Sequence, residues 1–239
     1  KGGSDDVMVV IYGGEAQVGS INISDSKFIG NLTIEFLSFS LCKFDKFEIA
    51  EKNNSYILCD EVYRFLSHDK NAENTSITDI YEKGISTFSM SKAFSLAGIR
   101  IGFVSADQTV IDEINHQRQY NTISISAIDD YLACLALENK EKILDRNKKI
   151  ILNGKKILTE WVNSEEKIGL IEPKAGTTAF ISYQDKRNSY DFCLDLFNET
   201  GVLLLPGDAM EVPKHCRIGY CGSDLAEGLS VFSKWLKKQ

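Results

Sequence analysis

Three short runs between Tyr56 and Ser105 constrain the fold of this chain more than any other feature. Residues 56–59, Tyr-Ile-Leu-Cys, are apolar at every position and lead into Asp60-Glu61-Val62-Tyr63. A strand that does not alternate between apolar and polar suits a sheet covered on both faces, as parallel sheets flanked by helices are. Residues 85–89 predict a second strand and residues 99–105 a third. Asp107 stands where it can cap a helix carrying Val110, Ile111 and Ile114 on one face. The expected fold class here is α/β with a mostly parallel sheet. Upstream, residues 7–12 predict a strand stopped by Gly13-Gly14. Residues 22–26 predict a loop, residues 32–37 a short helix, and residues 42–52 a helix ending at Asn53-Asn54.

The texture changes after residue 125. Residues 126–163 read as helical: Ile143, Ile150 and Ile157 recur every seven residues, as do Leu144, Ile151 and Leu158, and Trp161 and Val162 extend the stripe. Asn139 and Gly154 interrupt the repeat, so a long helix packed on another domain is expected rather than a coiled coil. Residues 168–172, 178–183, 202–205 and 217–220 predict strands. Residues 190–199 predict a helix with Phe192, Leu196 and Phe197 inward and Gly201 as its C-terminal cap. Asp224 and Glu227 resemble a capping pair for a last helix that buries Leu229, Phe232 and Leu236. The expected division is residues 1–125, an N-terminal arm with a partial α/β domain, and residues 126–239, an interdomain helix with a C-terminal α+β domain.

Composition narrows the function classes. The 239 residues are 43% apolar and 26% charged, an ordinary globular balance. The net charge is −7, and Lys148-Lys149 and Lys155-Lys156 sit in a helical pattern whose other face is apolar, which argues against a nucleic-acid partner. The six cysteines form no C-x-x-C pair and there are only three histidines, which argues against a zinc site or other metal centre. Cys59 and Cys134 lie in apolar runs and read as buried thiols of a reducing compartment. No stretch is apolar and long enough to cross a membrane and no signal-peptide pattern opens the chain, so a cytoplasmic protein is expected.

The chemistry concentrates in two places. Residues 88–102, Phe-Ser-Met-Ser-Lys-Ala-Phe-Ser-Leu-Ala-Gly-Ile-Arg-Ile-Gly, put Ser89 and Ser91 just before Lys92 and Arg100 eight residues after it; upstream stand Asp60 and Tyr63. Each part alone has an ordinary reading: a solvated lysine, turn serines, glycines that allow close packing, a strand end. Their order and spacing resemble the class I/II (fold-type I) aminotransferases that depend on pyridoxal 5′-phosphate, above all amino-acid aminotransferases of bacterial type. The resemblance covers residues 50–239. It implies that Lys92 is the Schiff-base lysine and the acid/base of the proton shift, and that Asp60 faces the pyridine nitrogen. It implies that Tyr63 serves the phenolic oxygen, that Ser89, Ser91 and Arg100 hold the phosphate, and that Arg217, in Cys-Arg-Ile-Gly-Tyr-Cys, binds the substrate's α-carboxylate. The alternative for Arg217 is a surface ion pair at a strand end. Residues 174–180 and 205–209 are similar to family loops at the substrate entrance. The implied protein is a homodimer with α-amino acids and 2-oxo acids as substrates.

The chain departs from that family upstream of Asp60. No Gly-rich phosphate loop opening a helix, no ring-stacking aromatic and no Asn-Pro-x-Asn-Pro motif is found, and no proline precedes Pro173. The expectation is a large-domain remnant short of several strands, with fewer phosphate donors. Two other readings follow from this: an inactive aminotransferase-like protein or partner-binding module, and an enzyme of another pyridoxal-phosphate reaction, such as a lyase or decarboxylase.

Overall fold

The computed structural model of the chain describes residues 8–12, 50–69 and 71–239. They divide into two compact units, Lys1–Asp145 and Arg146–Gln239. The expected loop at 22–26, the helix at 32–37 and the first part of the helix at 42–52 lie outside the described residues. Residues 50–52 are helical, and Asn54, with φ 53°, turns the chain into the next strand.

The N-terminal unit is built on a sheet in the order β1 (Met8–Tyr12), β2 (Tyr56–Asp60), β3 (Gly84–Ser89), β4 (Gly102–Ser105). β1, β2 and β3 run parallel to one another, and β4 is antiparallel to β3. Between β2 and β3 the chain crosses over through the short helix α1 (Ile77–Ile80). Ser76 and Asp79 form a reciprocal capping box at its start. Ile57, Cys59, Ile77 and Tyr81 close into one apolar cluster under the sheet. The run 56–60 is not covered on both faces as expected. Ile57 and Cys59 are buried while Tyr56, Leu58 and Asp60 are half-exposed, because only one face meets that cluster.

The third expected strand is shorter than residues 99–105. Ala97–Ile99 form a 3₁₀ turn and Arg100 adopts a left-handed conformation with φ 49°, so β4 begins only at Gly102. There a Cβ would stand 2.4 Å from the Phe88 carbonyl oxygen, so the close approach of β4 to β3 requires glycine. Beyond it, α2 (Met90–Ala93) follows β3 directly, and α3 (Gln108–Arg118) is capped by Asp107, which accepts from the Thr109 N–H at 2.9 Å. Val110, Ile111 and Ile114 share its half-buried side.

The helical region 126–163 is two helices, α4 (Ala127–Glu138) and α5 (Lys140–Asn163). Asn139 breaks them: its N–H and its side-chain amide both bond the Leu135 carbonyl. Gly154 breaks nothing. On α5 the buried line is Asn147, Ile151, Gly154, Leu158 and Val162, whereas Ile150 is 46% exposed. Of the two expected stripes only the one through Ile151 and Leu158 is core. Cys134 is exposed, not buried, because the inward side of α4 is Ala133 and Ala136.

The C-terminal unit carries an antiparallel sheet in the order β5 (Ile168–Ile171), β6 (Thr178–Tyr183), β8 (His215–Gly219), β7 (Leu205–Pro206). Two helices accompany it, α6 (Ser189–Thr200) and α7 (Leu225–Leu236). Tyr183 stacks on Phe192 at 4.0 Å, and Phe192 meets Phe232 and Trp235 edge-on. Phe197, expected inward, is 44% exposed, while Cys193 turns in instead. Gly201 ends α6 at φ 78°, with its N–H on the Phe197 carbonyl. Asp224 precedes α7 without a side-chain capping bond, so the expected Asp224–Glu227 pair is not formed.

A carboxylate–guanidinium cluster holds the start of α6. Arg187 donates to Asp185 from Nε and Nη2, each at 2.8 Å, and to Asp195 at 2.9 Å. Hydrogen bonding from Arg187, against a smaller cost of burial, lowers the Asp185 pKa to about 2. Because folding lowers this pKa, the stabilisation is complete above the unfolded-state value near 4. It is lost as pH falls from there toward about 2, and amounts to about 2 kcal/mol. Asp185→Asn is therefore expected to cost about that much at pH 6 and little at pH 2. Denaturant unfolding of both proteins at the two pH values checks this; an equal gap at both would remove Asp185 as the cause.

Candidate functional site

The parallel pairing of β2 and β3 brings their carboxyl ends side by side, the usual place for a site in such a sheet. Asp60 ends β2 opposite Thr87 of β3, and Ser89 ends β3 two residues on. The Asp60 carboxylate is half-buried. Its Oδ1 accepts from the Val62 N–H at 3.1 Å and from the Thr87 hydroxyl at 3.5 Å. Oδ2 has no partner among the described residues, so one lone-pair face of the acid is open.

Ser89 is the N-cap of α2, its hydroxyl oxygen accepting from the Ser91 N–H at 3.1 Å. That bond turns the chain from strand to helix and sets Ser91 and Lys92 at the strand end. Met90 and Ala93 are fully buried and anchor this turn, so Lys92 is left on its exposed side. The Lys92 Nζ lies 5.9 Å from the centroid of the Tyr63 ring. Arg100 reaches back across the turn: Nη1 donates to the Ala97 carbonyl at 2.8 Å and lies 3.5 Å from the Ser91 hydroxyl. A left-handed backbone at an arginine is uncommon, and here it is what aims the guanidinium at Ser91.

Among the described residues neither Lys92 nor Arg100 has a carboxylate within ion-pair distance. Two hydroxyls and an uncompensated guanidinium gather at one strand end, with an uncompensated ammonium beside a phenol. This is a donor set for an anion with several oxygens. The half-open acid of Asp60 on the adjacent strand is a partner for a protonated ring nitrogen. By the chemistry of their donors, these residues fit pyridoxal phosphate.

Arg217 lies in the C-terminal unit on β8, between Phe180 of β6 and Leu205 of β7. It is half-buried, and its Nη1 is 3.8 Å from the Met210 sulfur. No carboxylate is in ion-pair range of it among the described residues, so the surface-pair alternative does not describe it. Asp208, in the 205–209 loop, accepts from the Ser189 N–H and hydroxyl at 2.8 and 2.7 Å, which depresses its pKa and ties the loop to α6.

Sequence reasoning missed two residues here. Thr87 steadies Asp60 from the neighbouring strand. Glu61, beside Asp60, is a buried carboxylate that takes hydrogen bonds from Ser76 and Ile77. The sole local hint of its role was a basic residue, Arg64, three positions on.

A sequence profile described as Aminotransferase class I and II matches residues 39–228. The chain belongs to that family. It is 26% identical over 194 residues to capreomycidine synthase of Streptomyces vinaceus, covering 79% of this chain and 49% of that one. It is 28% identical over 198 residues to an aspartate aminotransferase of Thermotoga maritima, covering 80% and 50%. Among solved structures, a PLP-dependent aminotransferase from Streptococcus suis superposes with a TM-score of 0.78 at 29% identity, over 98% of this chain and 71% of that one. The chain thus spans about half the length of the curated relatives it matches. The matched residues include Asp60, Lys92 and Arg100. No helix among the described residues is long and apolar enough to cross a membrane.

Proposed function

We propose that this chain works as a pyridoxal-phosphate-dependent aminotransferase, moving an amino group between an α-amino acid and a 2-oxo acid. The observation that carries the reading is the strand-end cluster: Lys92 and Arg100 without carboxylate partners among the described residues, two serine hydroxyls, and the acid of Asp60 one strand away. Pyridoxal phosphate, when bound, supplies an electron sink for the substrate carbon that loses its proton. Asp60 holds a proton at the ring nitrogen and so keeps that sink charged. Tyr63 donates to the phenolic oxygen. Ser89, Ser91 and Arg100 bind the phosphate oxygens. Lys92 would hold the cofactor through its amine and would serve as the acid and base for the substrate proton. Arg217 pairs with both oxygens of the substrate carboxylate. The mostly parallel sheet is the family's large-domain sheet, the C-terminal α+β unit its small domain, and the working form a cytoplasmic homodimer.

The test is an absorbance titration of the purified chain with pyridoxal phosphate, beside Lys92→Ala. A near-visible band in the wild type that the variant lacks is the expected result. Equal spectra would remove the catalytic reading and leave an aminotransferase-like binding module. A second reading has its own support, because one relative is named a synthase rather than an aminotransferase. Release of ammonia and a 2-oxo acid with no acceptor present would favour a lyase reaction over amino transfer.

A further inference from the structure

Two adjacent carboxylates at the end of β2 have opposite environments. Asp60 has one oxygen without a partner among the described residues; Glu61 is 6% exposed and has both oxygens engaged. Glu61 Oε1 accepts from the Ser76 hydroxyl at 2.9 Å and from the Ile77 N–H at 2.8 Å. Its Oε2 pairs with Arg64 Nη1 at 3.3 Å. The Glu61 backbone is tied as well: its N–H donates to the Thr87 carbonyl and its carbonyl accepts from the Arg64 N–H, both at 2.8 Å. Arg64 is held in turn by the Asn74 carbonyl, at 2.8 Å from Nε, and lies over the Phe65 ring at 5.1 Å.

Between Glu61 and Arg64 the chain makes a tight turn, and Tyr63 rides on it. A second turn starts at once, with the Leu66 N–H on the Tyr63 carbonyl at 3.1 Å and Phe65 in a left-handed conformation at φ 73°. Two side chains flanking Tyr63 are therefore clamped to each other and to the start of α1. Burying such a pair adds little net stability, because desolvation offsets the attraction. What the pair does supply is one geometry out of several for a short turn. The consequence falls on Tyr63, whose ring is the contact of Lys92.

We propose that the Glu61–Arg64 pair is a positioning device for the site, holding the 61–64 turn so that the Tyr63 ring faces the Lys92 amine. The proposal rests on the reading of Tyr63 and Lys92 as parts of one site. It assigns Glu61 and Arg64 no contact with substrate or cofactor.

The test uses the whole chain without cofactor. Reductive methylation with ¹³C-formaldehyde labels the lysines, and Lys92→Arg identifies the Lys92 resonance by its loss. Tyr63→Leu gives the position of that resonance without the ring, and Tyr63→Phe keeps the ring. Glu61→Gln and Arg64→Met are each expected to move the Lys92 resonance toward its Tyr63→Leu position. Ser76→Ala, which removes one donor to Glu61 and leaves the ion pair, is expected to move it part of the way, and serves if the other two variants unfold. A lowered melting temperature with the Lys92 resonance unmoved would overturn the proposal, as would a resonance indifferent to Tyr63→Leu. The functional reading stands or falls separately, on the pyridoxal phosphate band. With cofactor bound, Glu61→Gln is expected to shift the pH at which that band titrates, in the same direction as Tyr63→Phe. In a Tyr63→Phe background Glu61→Gln is expected to add no further shift; a purely structural role would give none in either.

Discussion

Gly154→Ala is expected to destabilise the C-terminal unit by about 2–4 kcal/mol, although alanine is the better helix former. On an open helix the exchange would gain about 1 kcal/mol. At Gly154 a Cβ would stand 1.7 Å from the Tyr220 carbonyl oxygen and 2.9 Å from its carbon. The obstruction is backbone and is itself fastened. Tyr220 is fully buried, its N–H donates to the Thr177 carbonyl, and its hydroxyl donates to Gly176 at 2.8 Å. The helix must therefore shift away from Tyr220, just past β8, opening the contacts of Ile151 and Leu158, both in the core. Gly228→Ala is the internal control: it lies on α7 with nothing within 4 Å of its would-be Cβ. It should raise stability by up to about 1 kcal/mol. Thermal unfolding of the two variants should move in opposite directions, the Gly154 protein falling by more than about 10 °C. A Gly154→Ala protein as stable as the parent would mean that α5 does not pass the Tyr220 backbone this closely.

Arg217→Ala is expected to lower kcat/KM for amino transfer by about a hundredfold to a thousandfold, equivalent to losing a half-buried charge pair worth about 3–4 kcal/mol. Arg217 stands on the strand between β6 and β7, its guanidinium near the Met210 sulfur with no carboxylate of the described residues beside it, so a substrate carboxylate would be its counter-ion. Arg217→Lys should recover only part of the loss, because an ammonium cannot pair with both oxygens in a planar fork. The Lys92-dependent absorbance band should persist in both variants, since Arg217 is not assigned to the cofactor. Steady-state kinetics over a range of α-amino acids decide it. A loss below about threefold would remove Arg217 from substrate binding.

What was legible beforehand follows from how local each signal is. Ser89, Ser91, Lys92 and Arg100 lie within a dozen residues, and Asp60 and Tyr63 sit at one strand end, so type and spacing alone bring out the pattern. Caps at Asp107 and Gly201 were readable for the same reason, as each bonds within its own turn. Glu61 was not readable, because the Ser76 and Ile77 groups that bury it come from the other end of a crossover. Nor was the left-handed Arg100, which read as the second residue of a strand over 99–105, whereas β4 begins at Gly102 and runs antiparallel to β3.

The amino-acid sequence by itself placed most of the described strands, and the helices α3, α6 and α7, to within a few residues, though not the short helices α1 and α2, and it offered side chains that could serve a phosphate, a ring nitrogen and a carboxylate. Those properties depend on neighbours one or two turns away. The tertiary structure alone decided which of the two apolar stripes of α5 is core, and why Gly154 is a contact rather than a break. It also decided which of two adjacent carboxylates is buried and which keeps an open oxygen. Each of those outcomes depends on a surface contributed by a distant part of the chain, and local periodicity carries no record of which surface arrives.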